Sequence, residues 1–166
     1  MKRIGLISDT HGYLDPKIEK YFSVCDEIWH AGDVGDYKVI EDLQKICPTI
    51  RCVYGNIDGQ DIRKAFPKNL RFNCEEVDVW ITHIGGYPNR YSPDVRDEIR
   101  LNPPKLFICG HSHILKVIYD KKLNLLHINP GAAGKSGFHH VKTIIRFSID
   151  KQTIKDLEVI ELGNRV

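Results

Sequence analysis

Five short runs, RIGLIS, EIWHAG, TIRCVYG, VDVWITH and KLFICG, constrain the fold of this chain more than any other feature. Each is rich in Ile, Val and aromatic residues and closes in polar or glycine-containing turn chemistry, the pattern of buried strands. Between them stand segments with helical spacing. Pro16 to Val24 places Ile18, Tyr21 and Phe22 on one face, Tyr37 to Ile46 does the same with Val39, Ile40, Leu43 and Ile46, and Pro93 to Leu101 forms a third. Asp36 is placed to cap the second of these. Strands alternating with helices over the first two thirds predict an α/β layer architecture with crossover connections.

The last third changes character. ILKVIYDKKLNLLHINPG reads as two alternating strands around a Lys-Lys-Leu-Asn turn, and HVKTIIRFSIDKQTIKDLEVIEL as another pair around Asp150 to Thr153. Both look like hairpins, which predicts a mixed sheet or a second sheet packed on the first. No linker, repeat or low-complexity segment interrupts the chain, so residues 1–166 are expected to form one domain, of a size that buries roughly two thirds of its unfolded surface.

Composition removes several function classes. Apolar runs are far shorter than the roughly 18 residues of a spanning helix, and the start, MKRIGLISD, is broken by Asp9 before it could serve as a signal peptide. A cytoplasmic location without a membrane partner is the resulting expectation. With 24 basic against 22 acidic residues, a net charge of +2 gives no nucleic-acid footprint. The five cysteines contain no CxxC pair and read as small buried hydrophobes.

In open α/β sheets the chemistry gathers at the carboxyl ends of strands. Those ends carry Asp9 and His11 in LISDTH, Asp33 in WHAGD, Asn56 in VYGNID, His83 in VWITH, and His111 and His113 in FICGHSH. One polar residue at a strand end is commonly a turn or cap; five ends at once are hard to explain that way. His127, His139 and His140, by contrast, read as ordinary core or surface histidines. The mixed N and O donor set, with no thiolate, suits Mn, Fe, Zn, Ni or Co better than Mg or Ca. Seven candidates exceed what a single ion uses, so two divalent ions sharing a carboxylate is the economical arrangement, one known for clamping both oxygens of an in-line displacement at phosphorus.

These blocks resemble the calcineurin-like metallophosphoesterases. SDTHG is similar to the D-x-H block of that family, AGD to G-D, YGNID to G-N, THIG to the lone-His block and GHSH to G-H-x-H, in order along nearly the whole chain. Size and the GNxD and NPGA variants look most like its small bacterial and archaeal phosphodiesterase branch, to which the Vps29 scaffold is related. The resemblance implies a four-layer αββα sandwich of two mixed sheets flanked by helices. It also implies that Asp9, His11 and His113 hold one metal, Asn56, His83 and His111 the other, and Asp33 bridges them. Attack of a metal-bridging hydroxide on a small phosphate ester, with Asp33 and Asn56 as catalytic residues, is the mechanism that follows, and Mn is the foremost metal.

One position departs from the wider family. Many members carry a histidine directly after the asparagine, where it protonates the leaving group; here that residue is Ile57. Asp58 and His30 are alternative acids, with a turn cap and a core histidine as their structural readings. GAAGKSG lacks the glycine a phosphate-binding P-loop needs where the chain has Asn129. NPGA, Asn129 to Ala132, brings backbone close to the site or makes a tight turn, and Arg90 and Tyr91 line the entrance or face solvent. Two other functional readings share the fold: an interaction scaffold of the Vps29 type, disfavoured because all seven ligands are kept, and a phosphomonoesterase or nucleotide phosphatase, disfavoured by Ile57. Oligomeric state is open.

Overall fold

The computed structural model describes residues 1–166. In chain order the elements are β1 (Lys2–Ile7), α1 (Ile18–Phe22), β2 (Glu27–His30), α2 (Tyr37–Ile46), β3 (Ile50–Cys52), α3 (Gln60–Ala65), β4 (Asn69–Cys74), β5 (Val77–Thr82), β6 (Gly86–Tyr87), β7 (Arg90–Tyr91), α4 (Arg96–Leu101), β8 (Leu106–Ile108), β9 (Leu115–Asp120), β10 (Leu125–Pro130), β11 (Val141–Asp150) and β12 (Thr153–Asn164). Two five-stranded sheets result, ordered β12-β11-β1-β2-β3 and β4-β5-β8-β10-β9. In the first, β1, β2 and β3 run parallel and β11 and β12 add antiparallel. The second repeats the logic: β5, β8 and β10 are parallel, with β4 and β9 as antiparallel edges.

Three apolar clusters define the layers. Ile4, Leu6, Trp29, Val79, Ile108, Ile128 and Phe147 meet between the two sheets. On the outer face of the first sheet, Ile7, Ile28 and Ile144 receive Ile18 and Phe22 of α1, Val39, Ile40 and Leu43 of α2 and Ile62 of α3. On the outer face of the second, Trp80 and Phe107 receive Val95 and Ile99 at α4. Helices, sheet, sheet, helix is the αββα sandwich expected from the sequence, and central strands buried on both faces explain why their sequences run apolar without alternation.

Local chemistry sets the element ends. Asp36 caps α2, its side chain accepting from the Lys38 amide at 2.9 Å, as its position foretold. The first helix begins at Ile18 and not at Pro16, because Asp15 makes a turn there, accepting from the Ile18 amide through its carbonyl and from the Lys17 amide through Oδ1. The third expected helix likewise starts at Arg96, three residues after Pro93. The hairpin turns fall at Lys121 to Asn124 and between Asp150 and Thr153. All five cysteines are free, four of them buried. No helix is long and apolar enough to cross a membrane.

Candidate metal centre

The parallel strands of both sheets end on the same side of the sandwich, and the segments leaving them carry every candidate ligand. Asp9 and His11 follow β1, Asp33 follows β2, Asn56 follows β3, His83 follows β5, and His111 and His113 follow β8. Five of the seven, Asp9, His11, Asp33, His111 and His113, have φ between 47° and 70°. Left-handed backbone is uncommon away from glycine and costs about 1–3 kcal/mol per residue, so it persists only where neighbours enforce it. Here they do. The Asp9 amide donates to the Gly32 carbonyl at 3.0 Å, the His11 amide to Asp33 at 3.1 Å, and the Gly134 amide to the Asp9 carbonyl at 3.1 Å. The reversal at each strand end turns these side chains toward one another.

They gather as two groups. Donor atoms of Asp9, His11 and His113 lie within 4.8 Å of one another, and so do those of Asp33, His83 and His111. His111 and His113, two apart in sequence, thus belong to different groups, because both stand beyond the end of β8 in left-handed backbone and their directions diverge. Asp33 faces both groups, with Oδ2 3.4 Å from His11 Nε2 and Oδ1 3.2 Å from His83 Nε2. Asn56 joins the second, its Oδ1 3.0 Å from His111 Nδ1.

The surroundings aim the donors inward. Asp9 Oδ2 accepts from Ser8 Oγ at 2.7 Å and from the His111 amide at 3.1 Å, which leaves Oδ1 pointing into the centre. His83 Nδ1 lies 2.8 Å from the Ala31 carbonyl, which can only accept, so Nδ1 carries a hydrogen and Nε2 is the ring atom aimed at Asp33 and Asp9. Glycines allow the close approach. A Cβ on Gly55 would collide with the Asp33 carboxylate, and one on Gly32, at φ 99°, would fall 2.7 Å from His83 Nδ1.

Asp9 Oδ1, His11 Nε2 and His83 Nε2 are buried without any hydrogen-bond partner. Buried polar atoms left unpaired are costly unless a proton or a metal cation stands between them. In the protein alone protons fill that need. Asp33 and then Asp9 push His11 up to about 9. Burial works against charging His83, yet Asp33 and Asp9 still raise it. Burial likewise opposes ionisation of Asp9, but His11 and His113 hold its carboxyl well below the usual range, as His11 and His83 do for Asp33. A divalent cation would answer the same unmet need, and the donor set fits one.

Two cavities adjoin the centre. One of about 220 Å³ is bounded by Asn56, His83, Tyr54, Lys68 and Asn69. The other, about 140 Å³, is bounded by His111, Tyr87, Arg90, Ser92 and Ser112. Asn56 and His111, in contact with each other, stand on either side of the divide.

Several residues find their place here. Asp58 accepts from the amides of Val34, Gly35 and Gly55 at 2.7–3.2 Å, so it is a loop cap and not a free acid. His30 is fully buried, with its Nε2 3.0 Å from the Thr10 hydroxyl and its Nδ1 accepting from the Gly32 amide; burial lowers it to about 4. Ile57 projects outward, 47% exposed. Asn129 of NPGA is buried beneath the GHSH loop, donating to the Gly110 carbonyl and Ser112 Oγ. His139, expected to be an ordinary histidine, packs edge-on against His113 with ring centroids 5.1 Å apart and donates through Nε2 to the Gly134 carbonyl at 2.7 Å. Nothing in the flanking GFHH marked it, since the contact is made only by the fold. Ser8, which orients Asp9, was hidden for the same reason.

The sequence model of the calcineurin-like phosphoesterase superfamily domain matches residues 1–152. A probable metallophosphoesterase of Methanocaldococcus jannaschii is 28% identical over 149 residues, covering 72% of this chain and 77% of its own length. Among solved structures, Vps29 of Chaetomium thermophilum superposes with a TM-score of 0.77 at 15% identity over 100% of both chains. A structure described as a novel archaeal phosphodiesterase superposes with a TM-score of 0.73 at 24% identity, covering 96% of this chain and 99% of its own.

Proposed function

The chain belongs to the calcineurin-like phosphoesterase superfamily of metal-dependent phosphoester hydrolases, and from that premise we propose that it is a phosphodiesterase working with two divalent cations, Mn foremost. The observation that carries this reading is the convergence of unpartnered buried polar atoms, Asp9 Oδ1, His11 Nε2 and His83 Nε2, around an Asp33 whose two oxygens face different histidines. Asp9, His11 and His113 would hold one ion, Asn56, His83 and His111 the other, with Asp33 shared. Bound there, divalent cations supply Lewis-acid charge for the phosphoryl oxygens and bring the pKa of water toward neutrality.

The chain's own residues do the rest. Asp33 is fixed by the Ile57 amide, which donates to Oδ1 at 3.1 Å, so the shared carboxylate does not swing. Asn56 spends its carbonyl oxygen on the second group, and its amide N–H bonds are left to donate to a phosphoryl oxygen and orient it. No side-chain acid stands ready for the leaving group: Ile57 has no proton to give, Asp58 is consumed by three amides, and His30 is sealed in the core. Esters whose leaving groups depart without help are therefore favoured. Space on both sides of the Asn56–His111 contact supports a diester, which has two organic arms where a monoester has one.

Turnover of the Mn-reconstituted protein on aryl and nucleotide diesters and monoesters tests this. Aryl diesters should be hydrolysed well ahead of alkyl monoesters. A preference for monoesters would replace the diesterase reading with a phosphatase one, and no turnover on any ester would favour the scaffold.

A further inference from the structure

The smaller cavity has a character of its own. Its lining, which includes Gly85, Gly86, Tyr87, Arg90, His111 and Ser112, contains a cationic side chain and no carboxylate. Arg90 pairs with Tyr87 only through the backbone of the β6–β7 hairpin and has no carboxylate within salt-bridge reach, unlike Arg71 and Arg146, which are tied to Asp78 and Glu158. A second cation, Lys116, stands outside the lining with Nζ 5.0 Å from the centroid of the Tyr87 ring.

The wall is also rigid. The Gly86 carbonyl accepts from His127 Nε2 at 2.9 Å, Ser92 Oγ donates to the Ile84 carbonyl at 2.7 Å, the Tyr91 hydroxyl donates to Asp120 at 2.6 Å, and the Tyr87 hydroxyl meets Ser112 Oγ. A hairpin of two two-residue strands would fray by itself; Ser92 closes it on Ile84, and the other three contacts tie it to β10, β9 and the GHSH loop beside the centre. Arg90 is thus an unspent guanidinium on a fixed platform, sharing a cavity with a residue of the metal centre.

We propose that this cavity is an anion subsite: the substrate carries a second acidic group, a carboxylate or phosphate, on one arm of its ester, and Arg90 is the residue that selects for it. The proposal rests on the phosphodiesterase reading for the position of the scissile phosphorus. A planar guanidinium suits either acid through paired N–H donors, and with no carboxylate in the lining nothing in the cavity competes for it, although Arg90 itself is exposed to solvent. The arm without a charge would occupy the larger cavity.

Two measurements separate failure of this proposal from failure of the diesterase reading. The first compares kcat/KM for matched p-nitrophenyl phosphodiesters bearing a carboxyethyl or a propyl arm. The second is a calorimetric titration of the Mn-loaded protein with 2-carboxyethylphosphonate against propylphosphonate, which needs no turnover. Wild type should favour the acidic arm by about tenfold in both, through KM in the first, and Arg90→Gln should erase that preference, read as the ratio between the two arms. Equal binding of the two phosphonates by wild type overturns the proposal whatever the turnover. So does a preference that survives Arg90→Gln, since direct chelation by the carboxylate would then explain it.

Discussion

His30 gives the fold a measurable acid sensitivity. Its neutral form is fixed on both sides: Nε2–H donates to Thr10 Oγ1, whose own hydrogen goes to the Val34 carbonyl, and Nδ1 accepts from Gly32. A second proton would have to be placed on Nδ1, against the Gly32 N–H, on a ring that is fully buried. Burial accordingly lowers the folded pKa from 6.5 to about 4. As pH falls past 6.5 the unfolded chain takes up this proton first, so stability is lost between about 6.5 and 4 and levels off below. A difference of about 2.5 units corresponds to roughly 3 kcal/mol. The assay is urea unfolding with a chelator present, from about pH 7.5 to 4, for wild type and His30→Gln. Protonation of His111, His127 and His139 in the unfolded chain adds to the slope of both proteins, because burial lowers all three in the fold, and it cancels in the comparison. Wild type should lose about 3 kcal/mol more than the variant across the range. Parallel curves would refute the assignment of His30 as a buried neutral support beneath the site.

Two substitutions probe the centre. Asp33→Asn keeps the shape but removes a charge facing both His11 and His83, so turnover on an aryl diester should fall at least about 100-fold with the unfolding midpoint little changed; retention of most activity would mean that Asp33 is not the shared carboxylate. Ile57→His restores a proton donor at an exposed position beside Asn56, and its gain on alkyl or nucleotide monoesters should exceed its gain on nitrophenyl diesters by about tenfold. Equal gains would indicate a general effect on the site, and no gain would mean that a proton is already supplied.

The parts of this molecule that sequence exposed are those where residue type alone decides. Central strands are apolar on both faces, so RIGLIS and VDVWITH announce themselves, and Asp or His at their ends stands out against the apolar background. Asp36 before Tyr37 is a cap by chemistry as well as by position. Elements with weak patterns escaped: α3 buries only Ile62, β4 is half-exposed, and β6 and β7 have two residues each, held by contacts from Ser112, His127 and Asp120 far along the chain. The same holds for the centre. That seven residues lie at strand ends was legible; their left-handed backbone, the pull of Ser8 on Asp9, the packing of His139 on His113 and the two flanking cavities arise only when both sheets are assembled. Asp58 shows the converse, a carboxylate next to the site whose three backbone partners remove it from the chemistry.

The central claim is that two cations occupy two groups of donors joined by Asp33. Elemental analysis of protein stripped with chelator, reconstituted with Mn and freed of excess metal by gel filtration measures it directly. Two ions per chain are predicted, accompanied by proton release as His11, raised to about 9 by Asp33 and Asp9, gives up its extra hydrogen, and loading should weaken as pH falls. One ion per chain with full turnover on an aryl diester, unchanged when Asp9 or His113 is replaced, would contradict it.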